Sequence, residues 1–442
     1  MVGVAAKNMI VSVVGMGYVG IPVALILAEA GMDVIGIDID QDKVGKLNRG
    51  EYPIEGKEPG IRSLLSLCNS TGKFRATSDY SEAKNTDVWI VCVQTPFNVG
   101  KFKPDLRALE GAISSIAMNL KEKALIVIES TVPPGTISES VIPIVEDLTG
   151  FKAGLDFSIG HCPERVMPGK LLHNLRTYGR ALGGYDDESH EKMLQVYPLI
   201  TKGKLEVVDI LTAEVVKTFE NTYRDVEIAI ANDFAKYCDH LGVDFFTIRN
   251  IVNTVEARNL HFPGGGVGGH CIPKDTWLLA YGTRGKYTPE LLLKAREVND
   301  SMPEYVSERV FAYLDEIPKQ TYPMKVGILG LSYLAESDDT RNSPTIDLVK
   351  ILRSKGLHTS VHDHVVKGAK DVEYSSDLKE VISGSDVLVV MVAHSLYSNI
   401  TPDQISSLMR GNLLIDTRNV MKVSDYQHSN INLYSLGRGH WT

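Results

Sequence analysis

The sequence is poor in cysteine and lacks the cysteine spacings that bind zinc or build a disulfide framework. Its 442 residues include five cysteines, an odd number, and no two of them form a CxxC pair. This pattern argues against a secreted disulfide fold and against a structural metal site. We therefore expect no metal and a reducing, cytoplasmic location. The cysteines are Cys68, Cys92, Cys162, Cys238 and Cys271.

Long apolar runs and an excess of positive charge are also missing. The segment MVGVAAKNMIVSVVGMGYVG passes from apolar residues directly into glycines, unlike a signal peptide. No stretch reaches the ~20 apolar residues that a membrane-spanning helix needs. A net charge of −9 argues against nucleic acid as the main partner, although it leaves room for a basic pocket that binds a small anion. We expect neither a membrane nor a nucleic-acid partner.

Short β-branched runs alternate with amphipathic runs, which is typical of a parallel sheet with crossover helices. MIVSVVG (9–15) predicts a strand and YVGIPVALILAEAG (18–31) predicts the helix after it. Residues 211–242 predict one long helix, and β/α alternation returns near the C-terminal end. Further strands are predicted at 33–40, 86–95, 124–131, 157–166, 325–331, 359–363, 385–393 and 412–419.

The chain is too long for one hydrophobic core. The order of elements predicts an α/β protein in which a central α domain with the long helix joins two Rossmann-like domains. Each of these two domains is expected to contain a doubly wound parallel sheet. We place the domains at 1–210, 211–314 and 315–442.

A glycine triplet near the start of the chain predicts a dinucleotide site. Gly15, Gly17 and Gly20 form GxGxxG between a predicted strand and its helix, where backbone amides can bind a pyrophosphate. Asp38 ends the next strand, where a carboxylate can bind ribose hydroxyls and would repel a 2′-phosphate. NAD is thus favoured over NADP, and a turn with a surface aspartate is the alternative. The second α/β domain lacks the triplet, which leaves room there for a nucleotide of another kind.

The stretch GGVGGHCIPKDTW (265–277) puts one cysteine, Cys271, in a glycine-rich loop with Lys274 and Asp275. A thiolate can add to an aldehyde, and hydride loss from the adduct to NAD+ gives a thioester that water releases as an acid. The loop alone leaves this reading and a merely space-filling cysteine equally open. His270 is expected to brace the loop, because adjacent residues in an extended segment tend to point in opposite directions.

Two further places carry side chains suited to this chemistry. Lys217, Asn221 and Arg224 share one face of the long helix, where lysine and asparagine can stabilise an oxyanion. A solvated polar face is the alternative for an isolated pair of this kind. Glu164 follows a predicted strand and can act as a general base for water, whereas Cys162 is expected to pack.

Taken together, these features resemble the UDP-sugar 6-dehydrogenases, a family that includes UDP-glucose and UDP-N-acetylhexosamine dehydrogenases. The resemblance covers nearly the whole chain in order, which makes it far more specific than any single motif. The matching segments are GMGYVG, GIDID, VQTP (93–96), STVPPGT, PERV, the K-x3-N helix, GVGGHC-x-x-KD, AREVND (295–300), ILGL and DDTRNSP (338–344).

The resemblance implies oxidation of a sugar C6 alcohol to a carboxylate with two NAD+ used in succession. It implies an NAD-binding domain at 1–210, a central dimerisation domain at 211–314 and a UDP-sugar-binding domain at 315–442. Cys271 matches the nucleophile, Lys217 and Asn221 the oxyanion-stabilising pair, Glu164 the acid/base carboxylate, and Asp275 a residue that assists water. NAD-contacting positions are Gly15, Gly17, Tyr18, Val19, Gly20, Asp38, Lys43, Thr95, Thr131 and Arg341.

The substrate contacts implied by the resemblance include one that reaches across subunits. Arg258 matches an arginine that enters the neighbouring subunit's sugar-nucleotide site, so we expect a homodimer or a higher homo-oligomer. The long, largely apolar central helix agrees, since it needs a surface to bury against. The implied substrate-binding residues are Arg165, Val166, Lys217, Asn221, Arg224, Arg258, Gly268, Tyr333 and Arg418.

Arg165 and Val166 stand where UDP-glucose enzymes carry Phe-Leu, and ENTYRD with Arg224 also resembles the UDP-N-acetylmannosamine branch. An added arginine can hydrogen-bond an acetamido carbonyl or a phosphate. UDP-ManNAc is therefore the expected substrate, with UDP-GlcNAc, UDP-GalNAc or UDP-glucose as alternatives and a non-catalytic nucleotide-sugar binding protein outside the class. Two residues depart from the pattern: Leu334 replaces a usual lysine, and Glu256 replaces a histidine of the mannosamine branch.

Overall fold

The computed structural model describes residues 9–54, 58–167, 169–318, 321–369 and 371–439. Residues 1–8, part of the segment in which no signal peptide is expected, lie outside this part. The chain divides into two compact units, Met1–Glu220 with Trp277–Thr288, and Asn221–Thr276 with Pro289–Thr442. The three domain boundaries expected from the sequence stay a prediction.

The first unit contains an eight-stranded sheet with the strand order β8-β7-β6-β5-β4-β1-β2-β3. Every neighbouring pair is parallel except β6 and β7, which are antiparallel. The strands are β1 Ile10–Val14, β2 Asp33–Ile37, β3 Phe74–Thr77, β4 Val88–Val91, β5 Leu125–Ile128, β6 Ser158–His161, β7 Arg180–Gly184 and β8 Leu205–Asp209.

Both faces of this sheet are buried, because side chains of one strand alternate between two cores. Val88 and Ile90 belong to one hydrophobic cluster, and Trp89 and Val91 belong to the other. This explains why the strands read as continuous apolar runs. The helices of this unit are α1 Gly20–Glu29, α2 Gln41–Asn48, α3 Ile61–Ser70, α4 Arg107–Ala117, α5 Ile142–Thr149, α6 Leu171–Thr177 and α7 Asp187–Ile200.

The long helix predicted at 211–242 is present as α8 Ile210–Leu241, with 32 residues. The division between the two units falls within α8 and within α10. None of the helices in the described ranges is both long and apolar enough to cross a membrane. Four helices lie between α8 and the first strand of the second sheet, namely α9 Phe245–Val252, α10 Ile272–Gly282, α11 Glu290–Asp300 and α12 Met302–Glu316.

The second unit contains a five-stranded, fully parallel sheet with the order β10-β9-β11-β12-β13. Val387 and Val389 pack in one cluster and Leu388 and Val390 in another, so this sheet is also buried on both faces. Its elements are β9 Lys325–Leu329, α13 Pro344–Ser354, β10 His358–His362, α14 Leu378–Ile382, β11 Val387–Val390, α15 Pro402–Leu408, β12 Leu413–Asp416, α16 Val423–Tyr426 and β13 Asn432–Ser435.

The structure confirms the predicted fold class. It adds four strands of the two sheets that the sequence analysis did not predict, β3, β7, β8 and β13, and a short antiparallel pair, Phe97–Asn98 with Lys103–Pro104. Strand β7, RALGG, begins with a charged residue and ends in two glycines, so it lacks the β-branched pattern of a strand. The order 3-2-1-4 in the first sheet puts a reversal of strand order between β1 and β4. Ligands of open α/β sheets bind at the carboxyl ends of strands at such a point.

Candidate active site

The glycine triplet lies where the strand order reverses between β1 and β4. Its glycines have two different roles. Gly15 has φ +92°, its amide donates to the carbonyl of Ile37 (2.8 Å), and an added Cβ would lie 2.8 Å from the carbonyl oxygen of Cys92. A Cβ on Gly20 would clash with the carbonyl oxygen of Gly15. A Cβ on Gly17 would meet no described atom within 4 Å. The fold itself thus requires Gly15 and Gly20, whereas Gly17 leaves open space where a pyrophosphate fits.

Asp38 follows β2 and is held by three donors. Its Oδ2 accepts hydrogen bonds from the amide of Met16 (2.9 Å) and from Lys43 Nζ (2.7 Å), and its Oδ1 accepts one from the amide of Asp40 (3.0 Å). Asp40 in turn caps α2 through the amide of Lys43. The carboxylate is therefore fixed at the edge where the ribose of a dinucleotide binds.

Glu58, a residue that the sequence analysis missed, contacts the glycine turn. Its Oε1 accepts hydrogen bonds from Tyr18 Oη (2.5 Å) and from the amide of Gly169 (2.6 Å). Val19, next to Tyr18, packs against the hydrophobic cluster that contains Val88 and Ile90. No local pattern marks Glu58, because its partners come from distant parts of the chain.

The loops after β4 and β5 are tied to each other at the carboxyl edge of the sheet. Thr95 Oγ1 donates to the carbonyl of Thr131 (2.5 Å), and Ser130 Oγ donates to the carbonyl of Val93 (2.6 Å). Thr95 is buried. The predicted NAD contacts Thr95 and Thr131 therefore lie together, as the strand ends of a parallel sheet require.

Helix α8 carries a second carboxylate that the sequence analysis missed. Glu214 is buried and accepts hydrogen bonds from the amides of Gly135 (2.6 Å) and Ile137 (2.9 Å), which lie in and after the STVPPGT turn. Burial raises the pKa of Glu214 to about 7, against the effect of the two amides. One turn further along α8 lies Lys217, which is also buried.

Glu164 lies in the loop after β6 and is buried, with Oε2 accepting a hydrogen bond from the amide of Val166 (2.6 Å). Arg165 donates through Nη1 to the carbonyl of Gly179 (3.0 Å), and its Nε lies 3.0 Å from Glu220 Oε2. These contacts hold the PERV segment in one conformation.

A buried ion pair supports the same edge of the sheet. Arg180 Nη1 and Tyr197 Oη both donate to Glu129 Oε1, at 3.0 Å and 2.9 Å. All three side chains are buried. Burial raises the pKa of Glu129, and Arg180 opposes this effect. The sequence analysis missed this group, whose members are far apart in the chain.

Among the five cysteines, Cys271 alone is exposed. Burial raises the pKa of Cys68 to about 11 and that of Cys162 to about 12. It also raises the pKa of Cys92 and of Cys238 above the usual value. These four thiols are held neutral, and the expectation that Cys162 packs in the core is confirmed.

Cys271 directly precedes α10, and its carbonyl accepts hydrogen bonds from the amides of Lys274 (3.1 Å) and Asp275 (2.9 Å). A thiol at a helix N-terminus lies where the helix dipole favours an anion. His270 is no cation at neutral pH, because burial, with Lys274 and Arg341, lowers its pKa to about 4. The loop thus provides an accessible sulfur atom in an electropositive setting.

The glycines before Cys271 pack closely on the segment 333–344. A Cβ on Gly268 would lie 2.5 Å from Tyr333 Cβ, and one on Gly269, where φ is +88°, would lie 2.9 Å from the Tyr333 ring. The amide of Gly269 donates to the carbonyl of Arg341 (2.9 Å), and Asn342 Nδ2 donates to the carbonyl of Gly269 (2.9 Å). Only glycine permits these approaches.

The guanidinium of Arg341 is close enough to Cys271 for the charges of the two side chains to interact. It forms a two-point ion pair with Asp339, through Nε–Oδ1 (2.9 Å) and Nη2–Oδ2 (2.6 Å). This pair raises the pKa of the Arg341 guanidinium, and the charge of Cys271 acts in the same direction. Burial raises the pKa of Tyr333 to about 12, so its hydroxyl stays protonated.

Asp275 connects the thiol loop to α8. Its Oδ2 accepts a hydrogen bond from Asn221 Nδ2 (2.5 Å), and Lys274 Nζ lies 3.3 Å from its Oδ1. Asp275 is fully buried and Asn221 half-buried. The structure therefore joins residues predicted from two separate motifs, Asn221 of the long helix and Asp275 of the Cys271 loop.

The remaining predicted substrate residues of the second unit are Arg224, Arg258 and Arg418. Arg224 and Arg258 are exposed, and the guanidinium of Arg418 lies against the backbone at Gly264. Leu334, which replaces the usual lysine, is 38% exposed. The assignment of these side chains to a substrate stays a prediction.

Glu336, His364 and His394 bring potential metal-ligand atoms within 4.8 Å of one another. Both ring nitrogens of His394 are engaged, however. Nδ1 accepts a hydrogen bond from the amide of Glu336 (3.0 Å), and Nε2 lies 3.1 Å from Asp363 Oδ2. We interpret the group as a brace for the loop after β9, and the expected absence of a metal stays a prediction.

Family models match the chain in three consecutive parts. The NAD binding domain of the UDP-glucose/GDP-mannose dehydrogenase family matches residues 9–201, its central domain residues 211–301 and its UDP binding domain residues 327–423. The chain belongs to the UDP-glucose/GDP-mannose dehydrogenase family. The resemblance stated from the motifs is thereby confirmed.

Members of the UDP-glucose/GDP-mannose dehydrogenase family resemble the chain over almost its whole length. A UDP-N-acetyl-D-mannosamine dehydrogenase of Pyrococcus horikoshii is 36% identical over 93% of this chain and 96% of its own. The solved structure of UDP-D-ManNAc dehydrogenase from that organism has a TM-score of 0.90 and covers 98% of this chain and 100% of its own. An NDP-N-acetyl-D-galactosaminuronic acid dehydrogenase structure from Methanosarcina mazei is 35% identical, with a TM-score of 0.88 and coverage of 98% and 96%.

Membership in the dehydrogenase family gives the two units their ligands. The protein is an NAD-dependent dehydrogenase of nucleotide sugars, and the open space at Gly17 beside the fixed carboxylate of Asp38 fits NAD. The second α/β domain lacks the glycine triplet and matches the UDP binding domain of the family, which binds a nucleotide of another kind.

Proposed function

We propose that the protein oxidises the C6 hydroxymethyl group of a UDP-N-acetylhexosamine, with UDP-ManNAc first, to a carboxylate through a Cys271 thioester. The observation that carries this proposal is the exposed Cys271 at the start of α10, in a chain whose other cysteines are held neutral by burial or packed away. A nucleotide-sugar dehydrogenase with such a thiol can complete a four-electron oxidation.

NAD+, when bound, is the hydride acceptor. Two NAD+ molecules used in succession take up the four electrons. The first oxidation removes a hydride and a proton from the C6 alcohol and leaves an aldehyde. The Cys271 thiolate then adds to the C6 carbon of this aldehyde and forms a C–S bond, while the carbonyl oxygen takes up a proton. Loss of hydride from this thiohemiacetal gives a thioester. Water then breaks the C–S bond, which releases the carboxylate and the free thiol. One alcohol, two NAD+ and one water become one carboxylate, two NADH and three protons.

The oxyanion of the tetrahedral adducts needs hydrogen-bond donors, and we assign Lys217 and Asn221 to this role. One N–H of the Asn221 amide is engaged by Asp275, which fixes the amide plane and leaves its second N–H to donate. Glu164 is the general base that takes a proton from water. Asp275 assists by holding Asn221 beside the nucleophile loop.

Support for the sugar comes from the relatives and from Arg165. The Pyrococcus horikoshii proteins are named for UDP-ManNAc, whereas the Methanosarcina mazei protein is named for an N-acetylgalactosaminuronic acid. The sugars in both names carry an acetamido group. Arg165, which stands in place of an apolar residue, favours such a sugar because it can hydrogen-bond the acetamido carbonyl. Turnover with UDP-ManNAc, UDP-GlcNAc, UDP-GalNAc and UDP-glucose tests the choice. Higher kcat/KM with UDP-glucose than with every hexosamine would contradict it.

The covalent step is tested with Cys271→Ala, UDP-ManNAc and NAD+. We expect uronate formation to be lost, while Cys238→Ala, the same change at a buried cysteine of α8, retains it. Unimpaired uronate formation by Cys271→Ala rejects the thioester. The ratio of NADH to sugar separates the alternatives, since the proposal gives two, an alcohol dehydrogenase without the thioester step gives one, and a non-catalytic binding protein gives none.

We also propose a homodimer. Helix α8 presents a stripe of exposed apolar side chains at spacings of three, four and seven residues, which places them on one face. A second copy of the helix can bury this stripe, and Arg258 then reaches the neighbouring sugar-nucleotide site. The stripe consists of Phe219, Tyr223, Ile230, Phe234, Tyr237 and Leu241, which are 44–66% exposed.

The remaining parts of the proposal concern organisation and role. We assign 1–210 to NAD binding, 211–314 to dimerisation and 315–442 to UDP-sugar binding, and we assign the protein to the cytoplasm. NAD contacts are proposed at Gly17, Asp38, Thr95, Thr131 and Arg341. The product of the proposed reaction, a UDP-linked uronic acid, is a donor for a glycosyltransferase that builds a polysaccharide or glycan.

A further inference from the structure

Five polar side chains with zero exposure form a continuous hydrogen-bonded group in the second unit. They come from three helices that the sequence separates widely. Burying so many polar groups is costly unless they are paired. The group consists of Asp225 and Asn232 on α8, Thr276 on α10, and Arg296 and Asn299 on α11.

The centre of the group is the carboxylate of Asp225. Its Oδ1 accepts hydrogen bonds from Arg296 Nη1 (2.5 Å) and Asn299 Nδ2 (2.7 Å), and its Oδ2 accepts one from Thr276 Oγ1 (3.2 Å). Arg296 also pairs with Asp300 through Nε (3.1 Å). The buried charge of Asp225 is thus neutralised and its oxygens are occupied.

Two branches lead from this centre to the two ends of the Cys271 loop. Asn299 Oδ1 accepts a hydrogen bond from Asn232 Nδ2 (2.8 Å), and Asn232 Oδ1 accepts one from the amide of Gly264 (2.9 Å), where the loop begins. Thr276, which binds Asp225 directly, lies in the helix that begins after Cys271. The loop is therefore held at its start and at its end by the same face of α8.

The same face carries Asn221, four residues before Asp225. Asn221 binds Asp275, the residue next to Thr276. Three residues of α8, Asn221, Asp225 and Asn232, consequently bind three points of the segment 264–276. A shift of about 1 Å in a reacting group can lower a rate by about a hundredfold, so the position of this segment matters for chemistry at the sulfur.

We propose that the Asp225–Arg296–Asn299–Asn232–Thr276 group is a positioning network that sets the placement of Cys271 for the second oxidation. This inference rests on the proposed thioester function. Oxidation of the alcohol to the aldehyde does not use the sulfur, whereas capture of the aldehyde does. A loosened loop therefore lets aldehyde escape, and the first oxidation continues.

Thr276→Val tests the network, because valine has nearly the volume of threonine and lacks the hydroxyl that binds Asp225. We expect uronate formation to fall about tenfold, NADH per sugar to fall from two toward one, and aldehyde to be trapped by hydroxylamine. The KM for NAD+ stays within twofold. Thr276→Ser, which keeps the hydroxyl, restores the wild-type ratio.

The matched control is Thr222→Val, the same change at a buried threonine of α8 whose hydroxyl has no hydrogen-bond partner among the described residues. We expect wild-type product ratios from it. Asn232→Ala, which frees the amide of Gly264, is the second test variant and should release aldehyde as Thr276→Val does. Thermal unfolding checks that each variant is folded at the assay temperature.

Three outcomes overturn the network. Wild-type product ratios in folded Thr276→Val and Asn232→Ala contradict a positioning role, and so does an equal loss of both oxidations or a loss seen only through unfolding. Failure of the underlying function is recognised separately, because the unmodified enzyme would then fail to give two NADH per sugar or Cys271→Ala would still form uronate.

Discussion

Asn221 Nδ2 donates to Asp275 Oδ2 across 2.5 Å, although 54 residues separate them in the chain. The contact ties the middle of α8 to the first turn of α10. It joins the amide that we assign to oxyanion stabilisation to the carboxylate four residues after Cys271, the proposed nucleophile. A change at either residue therefore acts on the geometry of the other.

We expect Asp275→Asn to lower kcat for uronate formation by about 10²- to 10³-fold, the range for loss of a donor that stabilises an oxyanion. The asparagine cannot hold the Asn221 amide as a carboxylate does. The KM for NAD+ should change less than twofold. Steady-state kinetics measure both, with Asp233→Asn, an exposed aspartate of α8, as the control. An unchanged kcat would remove Asp275 from the mechanism.

The glycines of the nucleotide turn give a prediction that separates folding from binding. Gly17→Ala places its methyl group in open space, so the melting temperature should hold while NAD+ affinity falls at least about tenfold. Gly20→Ala places its methyl group on the carbonyl of Gly15, so it should lower the melting temperature. Calorimetry measures the stability and titration measures the affinity.

Gly111→Ala is the control for both glycine variants, since Gly111 lies in α4 and an added Cβ there would meet no described atom within 4 Å. Helix propensity favours alanine by roughly 1 kcal/mol, so this variant should be slightly more stable and bind NAD+ normally. Normal NAD+ affinity of Gly17→Ala would show that the phosphates bind elsewhere.

The raised pKa of the buried Glu214 carboxyl predicts that the stability of the protein depends on pH. Burial raises the pKa of its carboxyl from 4.5 to about 7, so the folded state binds the proton more tightly than the unfolded state. Its stabilising contribution is complete below pH 4.5 and is lost as the pH rises through 7. The change is on the order of 3 kcal/mol. In Glu214→Gln the side chain no longer titrates, and this component disappears.

Melting temperatures from pH 4.5 to 8 measure the effect of Glu214. The decline toward higher pH should be smaller in Glu214→Gln than in the unmodified protein. Glu191→Gln, which removes an exposed carboxylate of α7, should decline as the unmodified protein does. Identical profiles for all three proteins would mean that Glu214 is ionised throughout this range.

The apolar stripe on α8 predicts the effect of one charge on assembly. Phe234→Lys places an ammonium group where a second copy is expected to pack, so the dimer should dissociate at micromolar concentration. Sedimentation measures the mass. Turnover should fall with the dimer, because Arg258 is expected to act in the neighbouring subunit. Leu155→Lys, at an exposed leucine outside α8, is the control. A monomer with full turnover would contradict the role of Arg258.

The local signals in the sequence predicted the elements that depend on near neighbours. The strand before Gly15, the helix from Gly20 and the 32 residues of α8 follow from apolar periodicity and from glycine positions. The family motifs also named Asn221, Asp275 and Cys271, without indicating which of them touch. Strand β7 was not predicted because its sequence, RALGG, has no strand pattern.

The sequence by itself determined the two regions of β/α alternation, the long helix and the residue types of the thiol loop, because each depends on residue types at short, regular spacings. Only the tertiary structure decided that Asp225 pairs with Arg296, 71 residues away, that Glu58 binds Tyr18 of the nucleotide turn, and that Glu214 binds an amide of the STVPPGT turn. Such contacts join buried polar groups that have no periodicity along the chain. Their partners are set by which helices and loops pack together.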